Sequence, residues 1–320
     1  MTGDPREATA RPGDPAGRDT AVDDRPTDSD PVTTDGGEAI GTVYLVGAGP
    51  GDPELLTVKA ARLLSEADVV LHDKLSGPDI LADIEPSRLE DVGTRGHGET
   101  TPQSEVNDRL VEYAHEGNTV VRLKGGDPTV FGRGGEEMCH LAAHGVPFEV
   151  VPGITSAIAG PEVAGIPVTH RDHASSVTFV TGHESPEKPE SAVDWEALAR
   201  AGGTIVVLMG VSRLPQYTAA LREAGMDPST PVALVERATW PDQQVATGTL
   251  ATIVDAAEAV GIEPPAVTVI GGVAGVREDV VDSLLSAHGP AETTTGRPAS
   301  DATNENDALD GEAPEDGGER

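Results

Sequence analysis

Between residues 39 and 288, short β-branched apolar runs alternate with stretches of helical periodicity, and this alternation limits the possible folds more than any other feature. The apolar runs place strands at 42–46, 68–72, 89–92, 119–123, 148–151, 176–181, 204–209, 232–236, 243–249 and 266–271. Helical patterns fall at 54–66, 102–115, 134–144, 213–224, 252–260 and 276–288. Thr101 followed by Pro102 marks a helix start, with proline at the first helical position. Strand–helix alternation predicts an α/β chain with mostly parallel sheets. Ten strands are too many for one modest sheet, and the stretch 153–174 is broken by Pro161 and Pro167. We therefore read two α/β domains, 39–152 and 153–288. The consecutive strands 232–236 and 243–249 predict an antiparallel pair in the second.

The flanks differ from this core. Residues 1–38 and 289–320 are rich in Asp, Pro, Gly and Thr and poor in apolar side chains, so both tails are expected to be disordered. The chain carries a net charge of −33, from 55 acidic and 22 basic residues. Ten acidic against four basic residues fall in 1–38 and nine against two in 288–320, which leaves −20 on the core. Such self-repulsion penalises a compact state in ordinary salt. At molar salt the Debye length is about 3 Å and the penalty fades, so the charge reads as adaptation to high salt. A chain without a basic stripe is a poor nucleic-acid binder. No apolar run reaches the roughly 18–20 residues of a membrane span, and the N-terminus lacks a signal-peptide core, which predicts a soluble cytoplasmic protein. The single Cys139 excludes an intrachain disulfide and reads as a small buried apolar residue on the helix 134–144. The nine histidines show no zinc-ligand spacing, so no metal is expected.

Two glycine-rich loops follow predicted strands in the first domain. The first is Val43-Tyr-Leu-Val-Gly-Ala-Gly-Pro-Gly-Asp-Pro-Glu-Leu-Leu-Thr57. A dinucleotide fingerprint needs glycine at its sixth position, which here is Asp52, and Pro50 removes an amide donor. The second is Arg122-Leu-Lys-Gly-Gly-Asp-Pro-Thr-Val-Phe-Gly-Arg-Gly-Gly-Glu136. It breaks at Gly125-Gly126-Asp127 at a strand's carboxyl end, where ligands bind in open α/β sheets. Paired glycines permit close backbone approach, and Asp127 is suited to accept from an amino group or a ribose hydroxyl. Thr155 and Ser156 either cap the next helix or contact a ligand. Met209, also at a strand end, either packs in the core or contacts a ligand. Arg95, His97, Lys124, Arg133, His170, Arg171 and His173 lie near strand ends, either pairing with the acidic surface or lining a pocket for a polyanion.

Together these segments resemble the uroporphyrinogen-III C-methyltransferase family, within the tetrapyrrole-methylase superfamily, in an acidic, haloarchaeal-like version. The resemblance rests chiefly on the run from Arg122 to Glu136. It extends through Val92-Gly93, Thr101-Pro102-Gln103, Val150-Val-Pro-Gly-Ile-Thr155, Gly165-Ile-Pro-Val-Thr-His-Arg171, Ser175-Ser-Val-Thr-Phe-Val-Thr-Gly-His183 and Pro241-Asp-Gln-Gln244. It implies two α/β domains with the active site in the cleft between them, in a homodimer. It further implies S-adenosylmethionine as methyl donor and a tetrapyrrole substrate, methylated at C2 and C7 to give precorrin-2 by way of precorrin-1. That product feeds sirohaem and cobalamin synthesis; the alternative is a family member acting on a later precorrin. Neither tail matches the length of the domains fused to some relatives, which implies a monofunctional chain. By motif position the donor site falls on Pro50, Gly125, Gly126, Asp127, Val130, Thr155, Ser156, Met209, Ala238 and Ala266. The family's proton acceptor falls on Asp73, which is otherwise a structural carboxylate. Its proton-donating lysine falls on Thr94, so that either Arg95 or another group substitutes, or the role is dispensable.

Overall fold

The computed structural model describes residues 39–93, 101–183 and 193–288; the tails expected to be disordered lie outside them. The first half runs β1 (Val43–Gly47), α1 (Val58–Glu66), β2 (Val69–His72), α2 (Pro78–Ala82), β3 (Leu89–Asp91), α3 (Gln103–His115), β4 (Val120–Lys124), α4 (Gly134–Ala143) and β5 (Phe148–Val151). The second runs α5 (Ser156–Val163), β6 (Val177–Thr181), α6 (Trp195–Ala201), β7 (Thr204–Leu208), α7 (Leu214–Glu223), β8 (Pro231–Glu236), β9 (Gln244–Thr249), α8 (Ile253–Val260), β10 (Ala266–Ile270) and α9 (Val276–His288).

The first sheet has the order β3-β2-β4-β1-β5, with every pair parallel. Helices cover both faces, which is why its central strands read as continuous apolar runs. Val121 and Leu123 of β4 pack with Leu63 and Leu64 of α1, while Val120 packs with Leu110 of α3 and Leu141 of α4. Strand alternation then sends Arg122 and Lys124 to the α3–α4 side as well, where both are buried.

The second sheet, β6-β7-β10-β8-β9, departs from the expected mostly parallel pattern. Only β6–β7 is parallel; β10 runs antiparallel to both β7 and β8, and β8–β9 is the antiparallel pair foreseen. With β10 reversed, its first residue Ala266 lies at the edge where β7 and β8 end.

Several local readings change. The helix expected at 54–66 begins instead as a 3-10 turn, Pro53–Leu55, and restarts at Val58 because the Thr57 hydroxyl accepts from Ala60 N–H at 3.2 Å. Pro102 is the cap residue before α3 rather than its first helical residue. α5 contains Pro161 and has no periodicity that marks its extent, although capping of a helix here was one of the two expectations for Thr155 and Ser156. It packs against β7, β8 and β10, and with only eight residues it tolerates one missing donor. Cys139 is exposed, not buried: α4 turns Gly134, Glu137 and Leu141 inward, and Cys139 lies off that face. Among the described residues, no helix is long and apolar enough to cross a membrane, and no cluster of side chains has the makings of a metal site.

Candidate active site

Three main-chain segments meet beyond the carboxyl ends of β1, β4 and β5, and glycine permits the meeting. Gly49 N–H donates to Gly126 O at 3.1 Å and Gly126 N–H to Gly49 O at 2.8 Å, so the two glycine loops are bonded to one another. A Cβ on Gly47 would lie 2.5 Å from Gly153 Cα and 2.6 Å from Gly126 O. Gly126 also has φ +70°, a region open to glycine at no steric cost.

Asp127 ties this meeting point together. Its Oδ1 accepts from Thr129 N–H (2.8 Å), the Thr129 hydroxyl (2.7 Å) and Val130 N–H (3.3 Å), and its Oδ2 accepts from Gly153 N–H at 3.3 Å. Both oxygens are engaged within the protein, so Asp127 shapes the loop at whose rim it stands. Thr155 caps α5 by accepting from Ala157 N–H at 3.3 Å, in a position that also faces the cavity below.

Above these loops opens a cavity of about 530 Å³, within the roughly 300–1,000 Å³ of small-molecule sites. Gly49, Pro50, Gly125, Gly126 and Asp127 line one side, with Val130, Thr155 and Ser156 beside them. The other side comes from the second sheet: Leu208 and Met209 around the end of β7, Val235, Arg237 and Ala238 around the end of β8, and Ala266 and Val267 at the start of β10. Met209 is 52% exposed, so it is no core residue. Trp240 links the two sides, donating from Nε1 to Pro50 O at 3.0 Å with its indole against Gly51. Phe131, Met209 and Arg237 hold φ of 53°, 55° and 43°, and all three line the cavity. Non-glycine residues in this conformation cost on the order of 1–3 kcal/mol each, and they cluster at functional sites.

A charged cluster forms the wall below Asp73. Arg122 donates from Nη2 to Asp73 Oδ1 at 2.6 Å, from Nε to Glu137 Oε1 at 3.1 Å, and from Nη1 to Leu123 O at 3.1 Å. Lys124 Nζ donates to the same Glu137 oxygen at 2.9 Å, and Gln103 Nε2 does so at 3.0 Å. Burial, followed by the adjacent Arg122 guanidinium, pushes the Lys124 ammonium below its ordinary pKa.

Asp73 and the ten donor-site positions read from the sequence, eleven residues in all, line this one cavity. Arg95, with Thr94 and His97, lies outside the described residues. Of the other cations, Lys124 lines the cavity but is matched by Glu137, and Arg133 pairs with Glu136 on the surface. Of the two alternatives read for these cations, pairing with carboxylates is what the second loop shows. His170, Arg171 and His173 do not line the cavity. Sequence reasoning missed Arg237, which lines the cavity, and Glu137 and Gln103, which stand behind it. Trp240 was also missed, although it directly precedes the quoted Pro241-Asp-Gln-Gln244 segment.

Residues 42–254 match the family described as tetrapyrrole (corrin/porphyrin) methylases. An S-adenosyl-L-methionine-dependent uroporphyrinogen III methyltransferase of Methanosarcina barkeri is 57% identical over 235 residues, covering 73% of this chain and 92% of that protein. A sirohaem synthase of Nitrosomonas europaea is 46% identical over 283 residues, 88% of this chain but 58% of the relative, so the chain spans little more than half its length. The crystal structure of uroporphyrin-III C-methyl transferase from Thermus thermophilus, complexed with S-adenyl homocysteine, is similar with a TM-score of 0.63 at 44% identity. That match covers 74% of this chain and all of the other.

Proposed function

The chain belongs to the tetrapyrrole methylase family, and from that premise we propose that it transfers methyl groups from S-adenosylmethionine to carbon atoms of uroporphyrinogen III. The products are precorrin-1 and then precorrin-2, methylated at C2 and C7, at the entry to sirohaem and cobalamin synthesis. The observation that carries this reading is convergence: the ten donor-site residues, drawn from both halves of the chain, line one cavity together with Asp73.

The cavity suits the donor. Leu208, Val235, Ala266 and Val267 offer apolar surface for an adenosyl group, and the bare main chain at Gly125 admits close approach. Bound there, S-adenosylmethionine supplies a methyl group already activated by its sulfonium. The protein's share is alignment, which is worth roughly 7–11 kcal/mol in well-oriented reactions. Pro50, Gly125, Gly126, Asp127 and Val130 hold the donor from the first half, and Thr155, Ser156, Met209, Ala238 and Ala266 hold it from the second. Asp73, held by Arg122 at 2.6 Å, takes the proton released as the methylated ring system rearranges. Arg95 takes the place of the family's lysine. The unit boundary falls at 152/153, and the enzyme works as a homodimer in a high-salt cytoplasm.

Anaerobic incubation with uroporphyrinogen III and S-adenosylmethionine in molar salt is expected to give a product with two added methyl groups. Folded protein that returns only unmodified substrate refutes the reading. Light scattering in the same buffer reads twice the chain's mass for the dimer, and a monomeric mass removes it.

A further inference from the structure

Glu137 is completely buried on α4, and among the described residues its Oε2 has no hydrogen-bond partner. Its other oxygen takes three donors from three side chains: Arg122, Lys124 and Gln103. A buried carboxylate held this unevenly is expensive, and packing alone does not account for it. Its partners do. Arg122 carries the connection onward to Asp73 at the cavity edge. Lys124 lines the cavity and, among the described residues, has Glu137 as its single hydrogen-bond acceptor.

We infer that Glu137 is a positioning residue for methyl transfer: through Arg122 it fixes the Asp73 carboxylate, and through its bond to Lys124 it holds that ammonium in place at the cavity wall. The inference rests on the methyltransferase reading above and assigns that site its support. Asp73, Arg122, Glu137 and Lys124 form a set of two carboxylates and two cations. Lys124 faces Arg122 from β4, Asp73 from the segment after β2, and Glu137 and the more distant Glu136 from α4. From α3, Gln103 and Asn107 approach the cluster, and both are neutral. Burial and Arg122 favour loss of the Lys124 proton, whereas Glu137 and Asp73 oppose it. Neutralising Glu137 therefore makes Lys124 easier to deprotonate and frees Arg122 to turn.

The test uses the full chain in molar salt, with turnover of uroporphyrinogen III followed from about pH 6 to pH 10. Wild-type protein without turnover sinks the methyltransferase reading itself; the outcomes below apply to active wild type. Glu137→Gln is expected to lower kcat by roughly tenfold or more while KM for S-adenosylmethionine changes by less than about twofold. Its alkaline decline in kcat moves to lower pH. Gln103→Leu removes a neutral donor from the same oxygen and is expected to keep the wild-type pH profile, which separates charge from packing. An alkaline limb in Glu137→Gln that coincides with wild type overturns the inference. Should Glu137→Gln fail to fold, Lys124→Arg decides. A guanidinium keeps its proton throughout this range, so the alkaline limb disappears if the inference holds and stays in place if it does not.

Discussion

Replacing Gly153 by alanine tests the meeting of main-chain segments on which the cavity rests. The new Cβ would stand 2.6 Å from Gly47 Cα and 2.7 Å from Gly47 C, and closer still to Gly126 O. Carbon atoms prefer about 3.5–4.0 Å, so the methyl group intrudes by about 1 Å on atoms that cannot rotate away. The end of β5 must withdraw from β1 and β4 by a similar amount. Overpacking of this kind costs typically about 1–3 kcal/mol, against a domain stability of about 5–15 kcal/mol, so the variant folds. Catalysis suffers more, because a misplacement of about 1 Å is enough for about a hundredfold loss of rate. Urea unfolding in molar salt, followed by fluorescence of the two tryptophans, gives the first quantity. Turnover at saturating donor and acceptor gives the second. A variant with the wild-type midpoint and wild-type turnover refutes both the contact and the role assigned to it.

Asp127→Ala deletes four acceptor bonds within the loop, and calorimetry with S-adenosylhomocysteine is expected to show affinity about tenfold weaker or worse. Unchanged affinity takes Asp127 out of the site. Trp240→Phe leaves Pro50 O without its donor and should lower the unfolding free energy by about 0.5–1.5 kcal/mol in urea titrations; an unaltered value means the link between the halves carries no weight. Burial raises the Tyr217 phenol above its ordinary pKa, so the unfolded chain releases that proton first and stability drains away as pH climbs past about 10. Tyr217→Phe should flatten this alkaline decline, at about 1 kcal/mol for the lost 2.9 Å bond to Thr268, and an equally steep decline counts against it.

The strands were legible because both sheets bury them, so apolar content and strand position coincide. The direction of β10 was not. β10 is as fully buried as β4, and the reversal that sets it antiparallel between β7 and β8 follows from connections and not from residue type. Only the cap of α5 was legible, at Thr155 and Ser156; its extent was not, because Pro161 reads as a break although the helix is short enough to carry it. Cys139 was misplaced because the helix register is set by Gly134, Glu137 and Leu141, and a carboxylate does not look like an inward-facing residue. The same blindness hid the charged cluster. Glu137 lies one residue beyond the run that ends at Glu136, and nothing local distinguishes a surface carboxylate from one buried under two cations. The loop residues were easier, since glycines at strand ends and the family pattern converge on the same positions.

The cavity's two sides are made of different material. On the first half, Gly49, Gly125 and Gly126 present main chain; Gly49 and Gly126 hold φ of +72° and +70°, and a Cβ on Gly125 would stand 2.7 Å from Leu75 O, so side chains are poorly accepted there. On the second half, Met209, Val235, Arg237 and Ala238 present side chains carried on strand ends. A surface of peptide groups is almost blind to mutation, whereas a surface of side chains can be rewritten one residue at a time. Enzymes of this layout can thus diverge in what they accept by changing one bank of the cleft, while the opposite bank is inherited unaltered.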